Sequence, residues 1–491
     1  MVCRTVYCKT VELEASMLRQ RSKMTWLTQG DQCSKFFFSK INARRAMQRV
    51  YQIQNADGQL VSGSDQAITK IIVNRLQQIL HLLIDYSQNA FVPGRSIADN
   101  VLLAQELLVG YNQVKLPKRC TIKLDIQKAY DSVQWDFILA CLRVFHFPAQ
   151  FISWIEQCIS TAMFSISLNG SVHGFFAGSR GIRQGDPMSP YLFVIVMEIW
   201  HVLLKFRTQA DNDFQFHWKC QDLRILNLCF ADDVLIFCAG TPNSVRIIKS
   251  VLTEFAELSG LHVNPGKSTI ILSKSVQRER QRILDIIGFQ EGSLPIKYLG
   301  LPLTSSRLKV ADCQPLIDRL SSRLAGWNHL NLSLAGRTQL IKSVLNSLHT
   351  YWASVFVLPK SIIKLIEGKM RSFLWTGSNR SGHAKVSWAQ VCKPTEEGGL
   401  GIRSVLLMNQ ALILKQVWRI LQEDPRRYGW LGCLGTACAT RRSGHLMLPR
   451  HLGFGRSLSK SVHYLKMAWC IGLAMEVSSN FGMIFGIQGG R

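Results

Sequence analysis

The sequence predicts an α+β fold. From about residue 71 to 303, apolar runs of strand length alternate with helical patterns and turn signals, and residues 311 to 420 carry apolar positions at helical spacing. A third observation sets the scale. Hydrophobic residues make up 47% of the 491, and Gly 35 and Pro 14 are scattered rather than clustered, as in a folded chain of roughly three domains and not in a disordered or fibrous one.

Taken in order, four segments follow. Residues 1–65 form a basic extension in which Arg19, Arg21, Lys23, Arg44, Arg45 and Arg49 interleave with Trp26, Phe36, Phe37 and Phe38. Such a pattern suits an extension facing nucleic acid and equally an amphipathic surface helix. Residues 66–310 carry the mixed strand and helix pattern. Residues 311–420 read as helical, with Leu316, Leu320 and Leu324, then Leu340, Ile341, Val344, Leu345 and Leu348 facing a core. In 421–491 the pattern weakens and no domain is expected. No fixed-period repeat occurs.

Lys+Arg 58 against Asp+Glu 32 gives a net charge of +26. An excess of that size points to a polyanionic partner, because contact with phosphates releases counterions. The fourteen cysteines have no C-x-x-C spacing and no signal peptide before them, and read as reduced, buried thiols of an intracellular protein. Cys433, Cys438, His445 and His451 are too closely spaced for a zinc finger, so no zinc is expected. The apolar stretch from Tyr191 to Phe206 is interrupted by Glu198, His201 and Lys205 and reads as too short to span a bilayer.

Acidic residues are scarce, so carboxylates set inside apolar sequence need an explanation. Thr121 to Asp125 is a buried-strand pattern ending in a carboxylate. Asp131 to Gln134 reads as a capping box opening a helix with Trp135, Ile138, Leu139 and Leu142 on one face. Further on, Leu228 to Ala231 and Val234 to Cys238 are apolar runs separated only by Asp232 and Asp233, which predicts a hairpin with two carboxylates at its tip. By itself an Asp-Asp turn is most often just solvated. If the two segments lie side by side, three carboxylates converge, and their repulsion is relieved by a divalent cation shared with substrate phosphates. The chemistry implied is nucleotidyl transfer. From Gly181 to Pro190, two glycines permit close backbone approach and Gln184 offers donors and an acceptor. Ser189 followed by Pro190 reads as an N-cap with proline at N1, so that a loop delivers a helix start to a ligand.

Six blocks in order carry a resemblance: Phe91-Val-Pro-Gly-Arg95-Ser, Lys123-Leu-Asp125-Ile-Gln-Lys-Ala-Tyr130-Asp131-Ser, Gly181-Ile-Arg-Gln184-Gly-Asp-Pro-Met-Ser-Pro190, Phe230-Ala-Asp232-Asp233, Gly260-Leu-His-Val-Asn-Pro-Gly-Lys267-Ser and Tyr298-Leu-Gly-Leu-Pro302-Leu. Together they resemble LINE-type (non-LTR) retrotransposon reverse transcriptases, plant branch, over roughly residues 10 to 420. The resemblance implies a right-hand polymerase: a palm of antiparallel sheet and helices, incomplete fingers within 66–310, and a helical thumb over 311–420. It implies RNA-directed DNA polymerase activity with two Mg²⁺ ions, Mn²⁺ being the alternative. An RNA template, a DNA primer made from nicked target DNA, and dNTPs would be the partners, without a membrane.

Carried over block by block, it makes Asp125, Asp232 and Asp233 the metal-binding catalytic residues and Lys267 the lysine that protonates departing pyrophosphate. Ile126, Tyr130, Gln184 and Gly185 would bind nucleotide, with Tyr130 under the incoming sugar. Arg95, Arg183, Tyr298, Leu299 and Gly300 would meet template and primer. Trp327, Gly336, Arg337 and Lys342 fall in the expected thumb. Two departures from the family pattern stand out. No endonuclease is legible, and Ile71 to Leu76 already resembles the end of the first fingers block, as in an internally deleted copy. The tail from Ser478 to Gly490 matches nothing in the family, as in a frameshifted copy. The rival expectation is an inactive nucleic-acid-binding remnant of such an element. The location expected is intracellular, in the nucleus.

Overall fold

The structure is a computed structural model that describes residues 53–54, 60–61, 65–327, 332–377 and 384–422. The basic and aromatic residues singled out in the expected extension, the four Cys and His between 433 and 451, and the tail lie outside the described residues. In chain order the strands are β1 (Ile53–Gln54), β2 (Leu60–Val61), β3 (Cys120–Leu124), β4 (Met163–Leu168), β5 (Ser171–Ala177), β6 (Asn227–Phe230), β7 (Asp233–Cys238), β8 (Thr269–Leu272), β9 (Gln290–Glu291), β10 (Ile296–Tyr298) and β11 (Leu301–Leu303). The helices begin with α1 (Asp65–Leu83), α2 (Ile97–Leu108), α3 (Ala129–Ser132), α4 (Trp135–Val144), α5 (Ala149–Ser160), α6 (Ser189–Ala210) and α7 (Pro242–Ser259). They continue with α8 (Arg280–Ile287), α9 (Gln314–Ala325), α10 (Leu334–Leu340), α11 (Asn346–Val355), α12 (Lys360–Thr376), α13 (Trp388–Val391) and α14 (Val405–Gln422). The class is α+β, as expected.

The chain forms two compact units that exchange segments. Of the described residues, one takes those up to Arg95, then Asp125–Asn212 and Ile247–Asn264; the other takes Ser96–Leu124, Asp213–Arg246 and those from Pro265 on.

The second unit holds a five-stranded mixed sheet in the order β6-β7-β3-β8-β9, antiparallel except for β8 with β9. Its central strand β3 has neighbours on both sides, Leu124 opposite Val234 and Cys120 opposite both Cys238 and Leu272. Every residue of β3 except Lys123 is buried. Helix α2 buries Val101, Leu103, Leu107 and Leu108 in a core shared with Leu316, Leu320, Leu324, Ile341 and Leu345 of the helical region. Leu340, Val344 and Leu348, also expected to face the core, are half-buried. Arg119, just before β3, is fully buried; it donates to the carbonyls of Val109 and Gly110 at 2.8 and 2.5 Å, and its guanidinium lies 4.6 Å from the Tyr111 ring.

In the first unit α1 runs without a break from Asp65 to Leu83, burying Ile72, Val73, Leu76 and Leu80 at helical spacing. The segment read as the end of a fingers block is therefore packed helix. Helix α6 corrects the expected short apolar run. It continues past that run at both ends to 22 residues, and by length and composition it could cross a membrane, with 61% of its most apolar stretch buried within the protein. Glu198 and His201 face inward, Glu198 accepting the Asp85 N–H at 2.9 Å and His201 Nδ1 lying 3.1 Å from Ser87 Oγ. That pairing is what lets polar residues interrupt a buried helix. The β4–β5 hairpin turns at Asn169 (φ 50°) and Gly170 (φ 84°), a two-residue loop whose twist suits antiparallel strands.

Candidate active site

Strand β3 ends at Leu124, and Asp125 is the next residue, at the strand exit as expected. Leu124 pairs with Val234, the residue after Asp233. The hairpin tip differs from expectation by one position. The turn residues are Ala231 and Asp232, and Asp233 is the first residue of β7, paired with Phe230. Ala231 sits at φ 55°, a region non-glycine residues seldom enter, and this lets the strands turn one residue early. Asp232 is exposed and Asp233 half-buried. One carboxylate therefore stands on the turn and the other on the strand, and the two are not presented alike. Among the described residues no group of three His, Cys, Asp or Glu side chains is placed to hold a metal ion.

The expected capping box does not form. Asp131 lies inside the short helix α3, and α4 starts after Gln134 without a side-chain cap; the Gln134 N–H donates instead to the Ser259 carbonyl at 2.9 Å. At α6, Met188 rather than Ser189 occupies the N-cap position, and the Asp186 carboxylate accepts the Met188 N–H at 2.8 Å, holding the loop at the helix start.

Residues 130–135 are stitched to the Gly181 loop. The Ile182 N–H donates to Tyr130 O and the Gly181 N–H to Val133 O, both at 2.7 Å, while the Trp135 indole donates to Gly181 O at 2.6 Å. Tyr130 stacks on Phe193 with centroids 4.9 Å apart. Gln184 and Gly185, at the loop's turn, are exposed. Trp135 was legible only as an apolar helix residue; its donor role has no signature in one sequence. Gly181 has φ 83°, and a Cβ there would lie 2.7 Å from Asp131 O. Gly181→Ala is expected to lower stability by about 3 kcal/mol, combining strain and overpacking. Chemical denaturation would measure it, and a midpoint equal to that of the unaltered protein would contradict the close approach.

The remaining predicted residues are placed as follows. The Arg95 guanidinium donates to the carbonyls of Ile84, Asp85 and Gln88 at 2.5–2.6 Å and lies over the Tyr86 ring. Arg183 donates to Cys158 O at 3.2 Å and lies 3.4 Å from the Asp186 carboxylate. Both guanidiniums thus bond within the protein. Ile126 bridges to Val263, the Asn264 N–H donates to Asp125 O at 2.8 Å, and Lys267 is exposed on the turn that follows. Tyr298 and Leu301 close the β10–β11 hairpin around Leu299 (φ 47°) and Gly300 (φ 81°). Tyr298 is buried with its hydroxyl 3.4 Å from Asn100 Nδ2, and burial raises its pKa well above the usual phenol range. Leu299 O accepts the Tyr351 hydroxyl at 3.0 Å. Asn100 also donates to Cys229 O at 2.8 Å, tying α2 to β6; sequence reading passed over it.

Asp125 thus follows the sheet's central strand in the chain, and Asp232 and Asp233 stand at the turn and the first strand position of the β6–β7 hairpin. Residues 59–303, just under half of the chain, match the family model "Reverse transcriptase (RNA-dependent DNA polymerase)". Three curated relatives narrow the comparison. The chain is 27% identical over 407 residues to the Transposon TX1 uncharacterized 149 kDa protein of Xenopus laevis, covering 81% of this chain and 29% of that one. It is 27% identical over 374 residues to the Retrovirus-related Pol polyprotein from type-2 retrotransposable element R2DM of Drosophila melanogaster, covering 72% and 34%. It is 41% identical over 125 residues to the Putative ribonuclease H protein At1g65750 of Arabidopsis thaliana, covering 25% and 20%. The chain therefore spans about a third or less of the length of these relatives.

Proposed function

We propose that the chain is the RNA-directed DNA polymerase part of a LINE-type retrotransposon of the plant branch, in an internally deleted copy, acting in the nucleus. The observation that carries this is the family match over 59–303 coinciding with acidic residues placed directly after β3 and at the β6–β7 turn. Residues 66–310 serve as fingers and palm and 311–420 as thumb. The likeness to an Arabidopsis protein supports the plant assignment.

In the proposed reaction the primer 3′-hydroxyl attacks the α-phosphate of a dNTP paired with an RNA template, and pyrophosphate leaves. Asp125, Asp232 and Asp233 offer hard oxygen donors of the kind that hold Mg²⁺ or Mn²⁺ jointly with substrate phosphates. When bound, such ions would neutralise the charge that develops on the phosphoryl group. Tyr130, held by its Phe193 stack, would present its ring edge to the incoming sugar. Exposed Lys267 would donate a proton to the departing pyrophosphate, and Ile126, Gln184 and Gly185 would line the nascent base pair. Arg95 and Arg183 act through the loops they brace, and the Tyr298–Gly300 turn lies against the primer end.

Primer extension on an oligo(rA) template with Mg²⁺ tests the reading. Incorporation by the unaltered chain and none by Asp232→Ala is expected. Equal, background-level incorporation by both would favour a nucleic-acid-binding remnant, the second reading, which the absence of a three-residue metal group among the described residues supports.

A further inference from the structure

Every residue of the β4–β5 hairpin from Met163 to Ala177 is exposed except Ser165, which is half-buried. The same stretch contains no Asp, Glu, Lys, Arg or Pro. Its seven large apolar side chains, among them Phe164, Ile166, Leu168 and Phe175, are each 39–75% exposed. At about 150–250 Å² for a fully exposed side chain of this size, they leave roughly 700 Å² of apolar surface in water. Monomers seldom expose a patch above about 600 Å², and each partner of a stable interface contributes about 800 Å².

The backbone is open as well. Among the described residues β4 and β5 pair only with each other, so each strand presents an edge. Soluble proteins protect such edges with lysine, proline or a bulge. Here β5 has a bulge: Phe164 pairs with Phe176 and Ile166 with His173, which leaves an extra residue beside Gly174 (φ 64°). Strand β4 has none of these protections. The root of the hairpin is fixed, with the Gly178 N–H donating to Ala162 O at 3.2 Å and the Phe164 and Phe176 rings stacked at 5.9 Å between centroids. A strand held in this way receives another without rearrangement.

Charge decides which partner fits. In a chain of net charge +26 this stretch carries none, so it offers phosphates or an acidic protein nothing, and repulsion between two copies is weakest there. Strand β4 is also complementary to itself. Laid antiparallel on a second β4 about a twofold axis at Ile166, it sets Phe164 opposite the other copy's Leu168 and Ile166 opposite Ile166, with all of them on one face. A slip that sets Phe164 against Ser167 would put Ile166 against Ser165 and lose that match.

We propose that the chain forms a twofold dimer in which the β4 edges of two copies pair antiparallel, joining the two hairpins into one sheet. The dimer does not depend on the polymerase reading.

Sedimentation velocity of the full chain after nuclease treatment, over a concentration series, tests it. A monomer–dimer equilibrium is expected that does not weaken between about 0.15 and 1 M salt, because apolar contacts hold it and added ions screen the repulsion between copies. Ile166→Lys or Leu168→Lys is expected to weaken it at least about tenfold. Both side chains are more than half exposed, so neither variant disturbs the core, and an unchanged thermal melt checks this. Leu407→Lys, at a comparably exposed apolar position on α14, should leave the equilibrium as it was. With oxidised glutathione, Ile166→Cys is expected to give a disulfide-linked dimer and Phe175→Cys none beyond that of the unaltered chain. A chain that stays monomeric, a dimer that dissociates as salt rises, or one unaffected by both lysine variants would overturn the proposal. So would linkage in Phe175→Cys and not in Ile166→Cys, which would put a different edge in the contact. A monomer that sediments with neutral phosphatidylcholine vesicles would overturn it too, by assigning the hairpin to a lipid surface.

Discussion

With Asp233 replaced by asparagine, extension of a DNA primer on an RNA template is expected to fall at least about a thousandfold, while the melting temperature moves by no more than about 3 °C. Asp233 is half-buried at the first position of β7, where asparagine keeps the shape and the backbone pairing with Phe230. The negative charge is lost and one acceptor oxygen becomes an amide donor. A thousandfold corresponds to about 4 kcal/mol of transition-state stabilisation, the scale expected when a metal-binding carboxylate is removed from phosphoryl transfer. Steady-state incorporation and a thermal melt on the same preparations separate the two effects. Activity within tenfold of the unaltered protein would mean that Asp233 is an ordinary hairpin residue.

The second large effect is acid destabilisation of the unit that contains the sheet. His217 is fully buried, stacks on Tyr111 and accepts the Lys219 N–H at its Nδ1, 3.3 Å away. Burial, reinforced by the Arg119 and Lys219 cations, pushes its pKa down to about 3. His349 is likewise buried and its pKa is pushed down to about 4. For both, the unfolded chain takes up a proton near pH 6.5 and the folded chain does not. Stability is therefore complete above pH 6.5 and is lost as pH falls toward 4 for His349 and 3 for His217. Each histidine contributes about 1.4 kcal/mol per pH unit within its window. Between pH 6.5 and 5, before most carboxylates titrate, the pair is expected to remove about 3 kcal/mol. Denaturant titrations across that interval measure it. The double variant His217→Gln, His349→Gln should flatten the slope, and an unchanged slope would show that other groups control acid unfolding.

How much of this could be read from the sequence depended on whether a signal was local. The exit of β3 at Asp125 was legible because Thr121 to Leu124 has the pattern of a short buried strand, so the first carboxylate after it marks its end. The β6–β7 hairpin was legible, but its turn was misplaced by one residue, since nothing in turn chemistry singles out Ala231 for a positive φ. Asp131 satisfied the spacing of a capping box, yet Ala129–Ser132 closes a turn of its own and Gln134 finds a partner in distant Ser259. The bonding of Arg95, Arg183 and Trp135 was invisible because each donates to backbone carbonyls, which carry no residue identity. Asn169-Gly170 between the apolar residues of β4 and β5 was a usable hairpin signal that sequence reading left unused.

The account rests on Asp125 and Asp233 serving one reaction centre, and a double-mutant cycle in primer extension addresses that directly. Asp125→Ala, Asp233→Ala and the double variant would be assayed on one RNA template with dNTPs and Mg²⁺. Groups that act as a unit lose nearly everything with the first deletion, so the double variant is predicted to be no slower than the worse single variant. Losses that multiply, as for independent residues, would contradict the shared centre.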